Sequence, residues 1–122
     1  MAEKQSILLV EDTPALARTY MGFLFGEPYD VQHVETGEDA LEVINSSAAP
    51  AAILLDLKLP GIDGMEVLRT LREQEFSSPV IVITAQGSIN TAVDSMRAGA
   101  FDFIVKPFNK GDLVERVKRY FG

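Results

Sequence analysis

Four short apolar runs in this chain lead into a residue that can do chemistry. Ile7 to Val10 is followed by Glu11-Asp12, Ala51 to Leu55 by Asp56, Val80 to Ile83 by Thr84, and Phe101 to Val105 by Lys106. Three carboxylates gathered in one crevice repel one another. Two unit charges roughly 4 Å apart interact by about 4 kcal/mol at an effective dielectric near ~20. Such a set takes a hard dication, and all-oxygen ligation suits Mg2+. A lysine and a hydroxyl beside that set can hold phosphoryl oxygens. The combination reads as phosphoryl transfer, with one aspartate as the covalent acceptor.

Convergence of these residues depends on the elements that carry them. The four apolar runs, together with Tyr29 to Val34, read as strands, and an amphipathic segment follows each. Thr13 offers an N-cap and Pro14 the first position of a helix carrying Leu16, Tyr20, Phe23 and Leu24. Thr36 caps a helix with Ala40, Leu41 and Ile44. Asp63 and Glu66 open one with Met65, Leu68 and Leu71. Ser88 caps one using Ile89, Ala92, Val93 and Met96, with Gly99 at its end, and Asn109 caps the last, with Leu113, Val117, Tyr120 and Phe121. Five strand–helix units predict an α/β fold, (βα)5, with a doubly wound parallel sheet in the flavodoxin-like order 2-1-3-4-5. In that order the first and third strands are neighbours. All strands end along one edge, so Glu11, Asp12 and Asp56 meet there, with Thr84 and Lys106 to one side.

Composition narrows the function further. The chain has 122 residues, 47% hydrophobic and 24% charged, which suits one globular domain. It has no cysteine, which excludes disulfides, thiolate zinc sites and cysteine nucleophiles. With 11 Lys and Arg against 18 Asp and Glu the net charge is −7, which argues against direct nucleic-acid binding. No apolar run is long enough to span a membrane and the first residues do not resemble a signal peptide, so a cytoplasmic protein is expected. The one histidine, His33, reads as a packing residue at a strand end, with no predicted partner. Phe23, Phe25, Phe76 and Phe108 are assigned to packing, and Met96 and Tyr120 to the core.

At these residues the chain resembles the receiver domains of two-component response regulators. The marks are Leu9-Val10-Glu11-Asp12, the stretch from Leu55-Asp56 through Pro60-Gly61 to Asp63-Gly64, Ile83-Thr84-Ala85 and Val105-Lys106-Pro107-Phe108, in order along nearly the whole chain. Gly87 to Val93 and Gly99 to Phe103 resemble NtrC- or LuxO-type regulators. The resemblance implies that Asp56 accepts a phosphoryl group from a sensor histidine kinase or phosphotransfer protein. It implies that Asp12 and Asp56 bind Mg2+ directly, Glu11 through water, and that the Lys58 backbone carbonyl completes the protein ligands. Lys106, in a cis peptide with Pro107, is expected to pair with the phosphoryl group. Thr84 is expected to hydrogen-bond that group, and the Phe103 ring to follow Thr84 as a switch. Lys58 and Gln86 are expected to set the lifetime of the phosphorylated form. The output would be read from the face of the fourth helix, fifth strand and fifth helix, with transcription the expected output, and a homodimer is left open.

Three other readings compete. A haloacid-dehalogenase-type phosphohydrolase would want a second aspartate two positions after the nucleophile, where Lys58 stands. A flavodoxin-like cofactor binder would want a Ser/Thr/Gly phosphate loop where Glu11-Asp12-Thr13-Pro14 is acidic. A docking module without phosphorylation would not need the intact acidic set. The expectation is therefore a switch, not a metabolic enzyme, whose reactions are self-phosphorylation and slow self-dephosphorylation. Residues 1–122 are expected to form one receiver domain, either free-standing or, as the NtrC/LuxO likeness favours, the N-terminal part of a longer regulator.

Overall fold

The computed structural model describes residues 4–46, 49–85 and 89–121, with only the backbone at residues 89 and 121. Strands and helices alternate along the chain: β1 Gln5–Val10, α1 Pro14–Leu24, β2 Tyr29–Val34, α2 Gly37–Ser46, β3 Ala52–Asp56, α3 Gly64–Glu73, β4 Val80–Thr84, α4 Ile89–Arg97, β5 Asp102–Val105 and α5 Lys110–Phe121. All neighbouring strands pair in parallel, in the order β2-β1-β3-β4-β5. The expected topology is the observed one.

Side chains alternate across the strands with a period of two, so each central strand feeds two cores. Leu8, Val10, Ile53, Leu55, Val80 and Val82 face α2 and α3, where they meet Ala40, Ile44, Val67, Leu68 and Leu71. Ile7, Leu9, Leu54, Ile81, Ile83 and Ile104 face α1 and α5, where they meet Ala17, Tyr20, Leu24, Leu113 and Val117. β3 is buried along its whole length, which is why it reads as a continuous apolar run rather than an alternating one.

The helix starts are fixed locally. The Asp39 amide donates to Thr36 Oγ1 at 3.0 Å, and the Glu66 amide to Asp63 Oδ1 at 2.9 Å. Asn109 and Asp112 exchange side-chain and backbone bonds as a reciprocal cap at the start of α5. Thr13 occupies the α1 cap position but makes no side-chain cap bond. The expected Ser88 cap lies outside the described residues.

Two packing expectations are overturned. Phe25 is 84% exposed: α1 ends at Leu24, and Phe25 is already extended (φ −63°, ψ 134°), past the buried stripe of the helix. Met96 is 40% exposed, because α4 turns the small residues Ala92 and Ser95 inward and leaves Val93 and Met96 on its outer side. Phe23, Phe76 and Phe108 are part-buried against the two cores. Tyr120 is half-buried, with its hydroxyl tied to the Phe101 carbonyl and to Asp102.

Candidate functional site

The parallel ladder delivers its strand ends to one edge, as an α/β sheet must. Glu11 and Asp12 leave β1, Asp56 is the last residue of its neighbour β3, and one carboxylate oxygen from each lies within 4.8 Å of the others. Glu11 is 0% exposed and Asp56 3% exposed, while Asp12 is open to solvent. β4 and β5 then contribute Thr84, also buried, and Lys106, which follows β5 in a cis peptide with Pro107.

Lys106 holds the two buried acids together. Its Nζ donates to Asp56 Oδ2 at 2.7 Å and to Glu11 Oε1 at 3.4 Å. The other oxygen of each acid takes a backbone amide from the loop that follows it. Asp56 Oδ1 accepts from Lys58 N at 2.9 Å, and Glu11 Oε2 from Thr13 N at 3.1 Å. Each acid therefore organises the loop after its own strand. Gly64 brings the start of α3 against the same place. A Cβ there would run into the Asp56 carbonyl oxygen and the Leu57 Cα, so only glycine allows this approach.

The electrostatics are unbalanced. Three carboxylates cluster around the Lys106 ammonium, so acid outnumbers base in a half-dry crevice. Burial pushes the Glu11 carboxyl up to about 7; the Thr13 amide opposes this, the adjacent Asp56 adds to it, and Lys106 only partly offsets it. Burial works against the charge on Lys106, but the hydrogen bond and charge of Asp56, followed by the charge of Glu11, outweigh it and hold its pKa above the ordinary lysine value. Tyr20, stacked on Phe108 with ring centroids 4.8 Å apart, closes the α1 side, and burial raises its hydroxyl pKa.

This donor set fits Mg2+. The ligands are hard oxygens, the charge deficit matches a dication, and ligands across an octahedral Mg2+ lie up to about 4.2 Å apart. The three oxygens lie within 4.8 Å of one another, close to that spacing. Beside them lies a cavity of about 220 Å3 lined by Asp56, Lys58, Thr84 and Lys106 together with Met65 and Thr91. Thr84 and Lys58 thus line the cavity beside the acidic cluster. Phe103 does not line this cavity; it is half-buried against the core on the α2 and α3 side. Gln86 lies outside the described residues.

Sequence reasoning missed one contributor. His33, read as a packing residue without a partner, places Nε2 2.8 Å from the backbone oxygen of Glu11. A lone histidine at the end of a strand carries no local signal of such a bond, which spans 22 residues.

Comparison with known proteins agrees with this geometry. Residues 7–118 match the family described as the response regulator receiver domain. The regulatory protein LuxO of Vibrio cholerae is 46% identical over 99 residues, covering 81% of this chain and 22% of LuxO. The C4-dicarboxylate transport transcriptional regulatory protein DctD of Pseudomonas aeruginosa is 37% identical over 113 residues, covering 93% of this chain and 24% of DctD. The chain thus spans less than a quarter of either relative. The crystal structure of the signal receiver domain of a LuxO repressor protein from Vibrio parahaemolyticus superposes with a TM-score of 0.90 at 42% identity, over 96% of this chain and 89% of that one.

Proposed function

The chain belongs to the response regulator receiver domain family, and from that premise we propose that it is a signalling switch that accepts a phosphoryl group on Asp56. The observation that carries this reading is the Lys106 ammonium, 2.7 Å from an Asp56 carboxylate that is otherwise buried among acids. An ammonium so placed lies beside whatever that carboxylate receives.

In the proposed reaction an Asp56 oxygen attacks the phosphorus of a phosphohistidine on a sensor histidine kinase or phosphotransfer protein. The P–N bond breaks, the imidazole leaves with its electron pair and takes a proton from solvent, and an acyl phosphate remains on Asp56. Glu11, Asp12, Asp56 and the Lys58 carbonyl are the groups we propose to hold Mg2+. The chemistry the ion supplies is neutralisation of charge on the transferring phosphoryl oxygens. Lys106 contributes the same stabilisation from the other side, and the Thr84 hydroxyl, at the cavity wall, donates to a phosphoryl oxygen. Return to the starting state is hydrolysis: water attacks phosphorus, the P–O bond to Asp56 breaks, and inorganic phosphate leaves. Lys58 and Gln86 are proposed to modulate that step, Gln86 by orienting water and Lys58 by pairing with the phosphoryl group and obstructing it.

Movement of Thr84 toward the phosphoryl group, followed by the Phe103 ring, would alter the face of α4, β5 and α5. That face would act on an output domain or downstream protein, with transcription as the output and a homodimer as one means of transmission. Residues 1–122 form the receiver unit in this reading, which works in the cytoplasm without touching nucleic acid or membrane; no described helix is long and apolar enough to cross a membrane.

The test is phosphoryl uptake from acetyl phosphate with and without Mg2+, followed by intact-mass measurement. The wild type gains one phosphoryl group only with Mg2+, and Asp56→Ala gains none. Equal uptake by Asp56→Ala would move the acceptor elsewhere.

A further inference from the structure

The β1–β2 ladder ends in an unusual way. Its register pairs Leu9 with His33 and Val10 with Val34, and the Glu11 amide then donates to the Val34 carbonyl at 3.1 Å. In a continued parallel ladder the next rung would bring an amide from position 36 to the Glu11 carbonyl. But β2 stops at Val34 and Thr36 opens α2, its carbonyl accepting from Ala40 N and its hydroxyl from Asp39 N, and among the described residues the Thr36 amide makes no bond to the Glu11 carbonyl. Glu11 is wholly buried, so a carbonyl left there without a donor would be costly. The donor comes from a side chain, His33 Nε2, at 2.8 Å. A carbonyl oxygen only accepts, so Nε2 is the nitrogen that carries hydrogen.

We propose that His33 is a positioning residue for the acidic pair: by capping the Glu11 carbonyl it sets the plane of the Glu11–Asp12 peptide and so the directions of the two carboxylates. The peptide unit is rigid, so an oxygen fixed at Glu11 fixes the path to the Asp12 Cα. Glu11 is pinned on its other sides by the Val34 carbonyl, the Thr13 amide and Lys106. Asp12 is exposed, and among the described residues no side-chain partner holds its carboxylate, which leaves this peptide to orient it. The imidazole therefore acts on a bound cation through the backbone, without touching it. Partners that orient metal ligands in this manner commonly change affinity ten- to a hundredfold, on the order of the ligands' own tuning.

This inference rests on the reading of Glu11 and Asp12 as Mg2+ ligands, and its test separates the two. Mg2+ is titrated by calorimetry into wild type, His33→Gln, whose amide reaches a similar position as a donor, and His33→Leu, which keeps bulk but cannot donate. The expectation is affinity about tenfold weaker in His33→Leu and within about twofold of wild type in His33→Gln. No Mg2+ binding by the wild type would fail the ligand reading and this inference with it. Wild-type binding that His33→Leu retains in full, even with a lower melting temperature, would overturn the inference alone. A second measurement needs no variant: imidazole 15N shifts of the wild type should show hydrogen on Nε2. A ring protonated only at Nδ1 would overturn the proposal.

Discussion

Asp56 and Asp102 both belong to strands of one sheet and both are held by cations, but in opposite proportion. At the edge of the sheet Asp56 shares one ammonium, Lys106, with Glu11, and Asp12 stands in the same cluster. At the start of β5, Asp102 alone draws two guanidiniums, from Arg116 at 3.0 Å and Arg119 at 3.2 Å, as well as the Tyr120 hydroxyl at 3.1 Å and the Phe103 amide at 2.8 Å. Arg116 also reaches the Phe103 carbonyl at 2.6 Å, stitching α5 to β5. One carboxylate is supplied by the protein with more positive charge than it needs. The other group sets three acids around one bonded ammonium, beside a cavity and on the edge where α/β folds bind ligands. The first arrangement is structural, and the second is the one we propose takes a cation and a phosphoryl group.

That contrast can be broken at several points. Lys106→Met removes the ammonium bonded to Asp56 and Glu11 and should slow phosphoryl uptake about a hundredfold, the usual scale for one preorganised electrostatic group. Phosphorylation rates at saturating Mg2+ would show it, and Arg119→Met should leave that rate unchanged. Asp102→Asn should cost about 2 kcal/mol of stability, the scale of a hydrogen bond to a charged group. Asp12→Ala, which relieves repulsion, should leave the metal-free protein as stable as before or more so. Urea unfolding of both variants without Mg2+ measures the difference, and a larger loss in Asp12→Ala would reverse the roles assigned to the two regions.

Mg2+ should stabilise by about 1.4 kcal/mol at roughly ten times its Kd, a rise of a few degrees in melting temperature. Asp12→Ala should erase that rise and Asp102→Asn should keep it. The smallest effect is on pH. The Glu11 carboxyl lies near 7 in the fold against an ordinary 4.5, so the folded chain binds this proton more tightly than the unfolded one. Its contribution to metal-free stability is therefore fully present below about pH 4.5 and lost as pH rises through about 7. Mg2+ affinity should run the other way, weakening by up to about tenfold per pH unit below 7 as Glu11 takes up its proton. Melting curves with and without Mg2+ from pH 5 to about pH 8 should converge toward the acid end.

The parts of the molecule legible in the sequence are those set by local pattern. β-Branched and aliphatic runs, a proline or capping residue at most helix starts, and chemistry-bearing residues at strand ends were enough to place Glu11, Asp12, Asp56, Thr84 and Lys106 on one edge. Residue type alone could not say which way a side chain faces near the end of a helix. Phe25 and Met96 are apolar, yet one follows the last buried turn and the other shares its helix with smaller residues that take the inner side. Nor does periodicity register bonds between distant segments. The Asp102 cluster joins β5 to residues 14 to 18 positions later, and the His33 bond crosses from β2 to β1. Both are polar contacts made by the tertiary fold, and both lie where a pattern of apolar residues is silent.

The central claim is that the charge-deficient carboxylate, not one of the protein-satisfied ones, receives the phosphoryl group. Reducing the phosphorylated protein with borohydride converts an acyl phosphate to the alcohol, so an aspartate that carried phosphate becomes homoserine, and peptide mass spectrometry then locates it. The account predicts homoserine at position 56 and nowhere else. Homoserine at position 12 or 102, or phosphate that survives reduction on a serine or threonine, would contradict it.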